Sequence, residues 1–143
     1  MAELAEVANV LGVARPDRPL ADPFRLIQKI EDGLPLRAFE RVMGLVAPDD
    51  ANFKYRVIPK ASLARRQQEK RLTANESERL ARIAGTWSFA CDVWGNADDA
   101  RGFLFRPHAM LGDRRPIDVV IDGEVGAQVV DGILGRLKYG SAA

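Results

Sequence analysis

Thr73-Ala74-Asn75-Glu76 constrains this chain most, because it fixes where the longest helix must begin. A threonine followed three residues later by a glutamate is a capping box, in which hydroxyl and carboxylate each accept an orphan amide of the first turn. Behind it Leu80, Ile83, Ala84, Trp87, Cys91 and Trp94 recur every three or four residues, the spacing of one helical stripe. Gly95 closes that stripe. Asn96 caps the next element, with Asp98 and Asp99 in its first turn, where carboxylates complement the helix dipole. Trp87 and Trp94 read as core or as a dimer seam, and Cys91 as a small buried hydrophobe.

Short helices are predicted on both sides. Asp22-Pro23 reads as a cap and a first-turn proline, followed by an apolar face drawn from Phe24, Leu26, Ile27 and Ile30 and ended by Gly33. Pro35 opens a second helix with Leu36, Phe39, Val42 and Met43, ending near Gly44. Pro48-Asp49-Asp50 opens a third element with Phe53, Tyr55 and Val57, and Pro59 starts a fourth. Short helices joined by glycine or proline turns are the pattern of a helix-turn-helix domain. Beyond the long helix, Phe103 and Leu104 lie on a helix that stops before Pro107, and Pro116 starts a short turn. Glu124 begins the final helix, with Val130, Ile133, Leu134 and Leu137 inward and Gly140 at its end. Ile117 to Ile121 is the one strand-like run, and it is short and of ambiguous period, so the chain reads as all-α. Residues 1–22 form an N-terminal arm and linker. Leu4, Val7, Ala8 and Leu11 have helical spacing, and both a small amphipathic helix and a frayed tail remain open.

Composition narrows the function. The 143 residues are 47% apolar, enough for one domain or two small ones sharing a core. No apolar run approaches the roughly 18–20 residues of a membrane helix, and no secretion signal opens the chain. A cytoplasmic location is therefore expected, without membrane contact. One cysteine and one histidine exclude an intrachain disulfide and leave little for a metal site. No phosphate loop, GxSxG or triad is present, so neither an enzyme nor a cofactor is expected. His108 reads as a surface residue.

Charge is the positive signal. The chain holds 21 basic and 20 acidic residues, yet Lys54, Arg56, Lys60, Arg65, Arg66, Lys70 and Arg71 fall within 18 positions, opposed only by Glu69. Concentrated charge in a neutral chain suits a polyanion. With Leu63 inward, Ser62 and Arg65 point outward, Lys60 and Arg66 flank them, and Lys70 follows. Outward arginine and serine suit base edges, and flanking cations suit phosphates. A solvated helix face is the competing reading.

The order of several motifs then becomes informative. Leu63-Ala64-Arg65-Arg66, Arg71-Leu72-Thr73 and Glu76-Ser77-Glu78-Arg79-Leu80 come first. Leu111-Gly112, Arg115-Pro116-Ile117-Asp118, Gly126 and Leu137-Lys138-Tyr139-Gly140 follow. Together, over residues 24–143, they resemble the antitoxins of the Xre/MbcA/ParS family. Two places depart from it: Asn52-Phe53-Lys54-Tyr55-Arg56 is more aromatic and basic than the usual Leu/Ala-rich helix, and Asp113 stands where a second glycine is common.

The resemblance implies an N-terminal Xre-like helix-turn-helix domain at 23–72 that binds operator DNA. A helical toxin-binding and dimerisation domain would follow at 73–143. The implied partner is a RES-domain toxin that consumes NAD, silenced when the antitoxin's C-terminus plugs its NAD site. That plug maps to Lys138, Tyr139, Gly140, Ser141, Ala142 and Ala143, and Arg114 and Arg115 are further candidate toxin contacts. A homodimer is expected, since single helix-turn-helix units bind weakly and operators tend to be palindromic. Two alternatives remain: a toxin binder without specific DNA binding, and a stand-alone regulator whose C-terminal half only dimerises. Gly126, Gly132 and Gly135 inside the last helix each cost about 1 kcal/mol against alanine. Either another backbone approaches them or they pack on the long helix.

Overall fold

The capping box forms, and the fold is organised around the helix it starts. A computed structural model describes residues 1–140. It contains α1 (Leu4–Leu11), α2 (Phe24–Asp32), α3 (Leu36–Val46), α4 (Lys54–Val57), α5 (Lys60–Glu69) and α6 (Ala74–Trp94). These are followed by α7 (Ala97–Phe105), a single 3-10 turn (Ala109–Leu111), α8 (Pro116–Asp122) and α9 (Glu124–Tyr139). Among the described residues there is no strand, so the chain is all-α. No described helix is long and apolar enough to cross a membrane.

At the start of α6 the Thr73 hydroxyl accepts from the Glu76 amide at 3.2 Å, and Glu76 Oε1 accepts from the Thr73 amide at 2.9 Å. Ser77 extends the network: its hydroxyl donates to the Thr73 carbonyl and accepts from the Leu34 amide, both at 2.7 Å. Leu80, Ile83, Ala84 and Trp87 are buried as their spacing predicts, but so are Thr86, Phe89 and Ala90. The reason is position. Helices α1, α2, α3, α7, α8 and α9 all pack against α6, so it is buried on more than one face. The stripe also ends early: Cys91 is half-buried and Trp94 is 40% exposed.

Packing settles four further points that the sequence left open or placed differently. Leu4–Leu11 is a helix whose Val7, Ala8 and Leu11 are buried, so this part of the arm belongs to the core and is not a frayed tail. On α2 only Leu26 is buried, while Phe24 and Ile27 face outward. Helix α3 runs through Gly44 to Val46, which is fully buried. The ambiguous Ile117–Ile121 run belongs to α8, with Pro116 in its first turn and Ile117, Val119, Val120 and Ile121 all buried. In a short helix with most of its residues buried, the apolar run is too continuous to show a period that would identify it.

Arginines tie the pieces together. The last carbonyls of a helix lack intrahelical partners, and a cation near them also complements the dipole. Arg41 Nε lies 2.9 Å from the Val10 carbonyl at the end of α1, and Arg71 Nη1 lies 2.7 Å from the Gly33 carbonyl after α2. Arg101 reaches Leu45 in α3 at 2.9 Å, and Arg79 reaches Val57 in α4 at 2.7 Å. Arg82 bridges the Val120 and Ile121 carbonyls of α8, each at 2.7 Å. Much of the chain's positive charge is therefore scaffolding.

Candidate functional site

The basic run folds into α4, a turn at Pro59, and α5, which Leu63 anchors in the core. Ser62 and Arg65 share the outer face, where Arg65 Nη2 donates to the Ser62 hydroxyl at 3.3 Å. Lys60 is exposed at the first position of α5. Lys70 is exposed at its end, in the left-handed conformation with φ 62°.

Arg66 does not join this face. Its Nε lies 2.7 Å from Glu76 and its Nη1 lies 3.2 Å from Glu69, with the side chain only 12% exposed. It sits three residues after Leu63, which turns it toward the core side and the first turn of α6. Hydrogen bonding to Glu76 raises the affinity of this guanidinium for its proton. On Glu76, burial favours the neutral acid, but the Thr73 amide and Arg66 outweigh it, so the carboxyl titrates below its usual range. Arg71 caps α2, and Arg56 pairs with Asp118 at 3.2 Å and Asp122 at 2.9 Å on α8. Of the seven cations, Lys54, Lys60, Arg65, Lys70 and Arg71 make no ion pair among the described residues, and of these five only Arg71 is held by backbone carbonyls.

The second predicted site is arranged differently. Arg115 donates twice to Asp118, at 2.7 and 3.0 Å, and lies over the Phe105 ring. Arg114 pairs with Asp122, whose carboxyl is held below its usual range by Arg56 first and by Arg114 as well. Lys138 pairs with Asp92 of α6. These three cations are partners of the chain's own acids and not a free basic surface. Tyr139, in contrast, is 77% exposed. Gly140 has φ 75° and ψ 160°, so it ends α9 and turns the chain away from the helix axis. Ser141, Ala142 and Ala143 lie outside the described residues.

Sequence reasoning missed the apolar part of this surface. Val125 is 75% exposed and Val129 faces outward four residues later, followed on the same side by Gly132. Leu137, predicted inward, is half exposed, because α9 extends past the core. With Trp94, Phe103 and His108 it lines a groove of about 320 Å³. His108 is not a bare surface residue: its Nδ1 accepts from the Met110 amide at 3.1 Å and so caps the 3-10 turn. The signal was available in Val125, Val129 and Gly132, whose 4-3 spacing is a second helical stripe on α9. The glycines resolve in two ways. A Cβ at Gly126 would stand 2.2 Å from the Val119 carbonyl, so the close approach there comes from this chain's own α8. A Cβ at Gly135 would meet nothing within 4 Å.

Comparison with known proteins assigns both halves. Residues 25–85 match the antitoxin Xre-like helix-turn-helix domain, and residues 90–140 match the antitoxin Xre/MbcA/ParS C-terminal toxin-binding domain. The chain belongs to the Xre/MbcA/ParS antitoxin family. The first match ends and the second begins inside α6, so this helix contributes to both. A relative described as "Antitoxin Xre", from Yersinia enterocolitica serotype O:8 / biotype 1B, is 38% identical over 85 residues. That stretch is 58% of this chain and 57% of the relative, so the match spans little more than half of either protein.

Proposed function

We propose that this chain is the antitoxin of a toxin–antitoxin pair. Its α9 end binds and silences a RES-domain toxin that consumes NAD, and α5 binds the operator of its own operon. The observation that carries the reading is the division of the surface. Within the toxin-binding match, Val125, Val129, Leu137 and Tyr139 are exposed while the nearby cations are paired. Within the helix-turn-helix match, Arg65 and Lys60 are exposed without an acid partner. An apolar surface flanked by internally neutralised charge suits a protein partner.

Blockade would come from the end of α9. Lys138 holds the last turn to α6 through Asp92, so Tyr139 and Gly140 project from a fixed point. A homodimer would present two copies of α5 to two half-sites. The test is co-expression with the protein encoded beside this chain, following growth and cellular NAD. NAD should hold with the intact chain and collapse when residues 139–143 are deleted, while operator binding persists. If NAD is insensitive to the neighbouring protein even without this chain, the toxin reading is wrong and a DNA-binding regulator remains.

A further inference from the structure

The segment that departs most from the family's usual composition, Asn52 to Arg56, places two lysines on one aromatic ring. Lys54 Nζ lies 5.2 Å from the centroid of Tyr55, and Lys60 Nζ, across the Pro59 turn, lies 5.7 Å from it. We infer that Lys54, Tyr55 and Lys60 form a phosphate clamp for duplex DNA at the corner between α4 and α5. This inference rests on the reading of α5 as a DNA-binding helix.

Two like charges gathered on one ring repel each other, and here no carboxylate offsets them. Neither lysine makes an ion pair among the described residues. The nearest acid before them in sequence, Asp50, is occupied by the Asn52 and Phe53 amides. The ring's negative face attracts both ammonium groups and holds them together. An anion arriving between them relieves the repulsion, and a phosphodiester backbone supplies anions in a row.

The corner is also rigid. Arg56, on the same turn, is fixed to Asp118 and Asp122 of α8, and Arg79 caps the Val57 carbonyl. Phe53 packs edge-on to Phe105 with centroids 5.1 Å apart. Arg56, Arg66 and Arg71 are committed to the fold, so the clamp supplies the positioning contacts that the basic run seemed to place along α5. Arg65 and Ser62 then face the groove one turn further on.

The test is fluorescence anisotropy with two labelled duplexes, one spanning the chain's own promoter and one of random sequence, each titrated with salt. Lys54→Ala/Lys60→Ala should weaken both duplexes by the same factor, roughly tenfold to a hundredfold at low salt, and reduce the log–log salt slope by roughly two. Tyr55→Phe should bind as the parent does, whereas Tyr55→Leu should lose severalfold affinity with an unchanged melting temperature. Arg65→Ala separates the two ideas: it should weaken the promoter duplex more than the random one and leave most of the slope. If the parent binds DNA, Arg65→Ala weakens it, and the double lysine variant keeps affinity and slope, the clamp is wrong and the DNA-binding helix stands. If the parent binds neither duplex, both fall.

Discussion

The two functional ends of this chain make opposite use of their charge. Around α5 the fold consumes Arg56, Arg66 and Arg71 and leaves Lys54, Lys60, Arg65 and Lys70 without acid partners. Around α8 and α9 it pairs Arg114, Arg115 and Lys138 with Asp122, Asp118 and Asp92, and leaves Val125, Val129, Leu137 and Tyr139 exposed. Counting basic residues in the sequence treats both ends alike. What distinguishes them is which side chains the fold has already engaged. Binding through α5 should therefore weaken steeply with salt, and binding through α9 should depend on salt only slightly.

The sharpest way to break this comparison is at Arg66, adjacent to an exposed arginine in sequence but engaged with Glu76. Arg66→Ala and Glu76→Gln each leave one partner of a largely buried pair alone, and each should cost about 3 kcal/mol of stability in a denaturant melt. Arg65→Ala should leave the melt unchanged. The pH dependence follows from the same carboxyl. Because Glu76 titrates below its ordinary value of 4.5 when folded, its contribution is complete above that value and is lost as pH falls through the depressed folded value. Glu76→Gln should flatten the acid limb of the melting-temperature profile. A profile identical to the parent's would show that the pair contributes nothing.

That pair also marks how far the sequence could be read. The capping box, the start of α6 and the anchoring of α5 by Leu63 were visible because each depends on residues within a few positions of one another. The Arg66–Glu76 contact joins two helices across a turn, and the spacing from Leu63 that puts Arg66 on the flank does not name the acid it meets. The same limit applies to Arg56, whose partners are on α8, and to Arg114, whose acid lies at the far end of α8; Arg115 and Asp118 stand only three residues apart, so that pair was within reach of the sequence. The all-α fold was legible from spacing alone. The outward turn of Phe24 and Ile27 was not, because a face with four apolar candidates does not say which of them the core will take. The helical state of Ile117 to Ile121 was hidden for the opposite reason, since four of its five residues are buried and so short an apolar run shows no clear period.

A smaller effect separates the glycines of α9. Gly126→Ala would place a Cβ 2.2 Å from the Val119 carbonyl and 2.9 Å from its Cγ1. Backbone must then move, and the variant should lose about 1–3 kcal/mol. If it melts like the parent, α8 and α9 are not packed at this distance, and the paired charges of the α8 region lose their fixed geometry with them.

The exposed surfaces can be set against each other directly. Arg65→Ala should reduce operator affinity by about tenfold, within the range of 1–3 kcal/mol for a base contact, without altering toxin neutralisation. Val125→Asp should do the reverse, weakening the toxin complex by a similar factor through a charge placed in an apolar contact. Calorimetry of the toxin complex at two salt concentrations and anisotropy on the operator would give both numbers. If Val125→Asp and Arg65→Ala each damage both activities while the melt is unchanged, the surface is not divided as described.

Gly135 gives the smallest effect and the most specific one. It lies inside α9 with nothing within 4 Å of where a Cβ would sit, so in the isolated chain Gly135→Ala should stabilise, by up to about 1 kcal/mol from helix propensity. A glycine retained at a position where alanine would stabilise the helix has a use outside the folded monomer if a second backbone approaches it there. Thermal melting and toxin titration of the same variant therefore answer different questions. A higher melting temperature together with weaker toxin binding places the partner's chain against this face of α9. A higher melting temperature with unchanged binding puts the contact on the Val125 and Val129 side of the helix instead, and leaves Gly135 without a role in recognition.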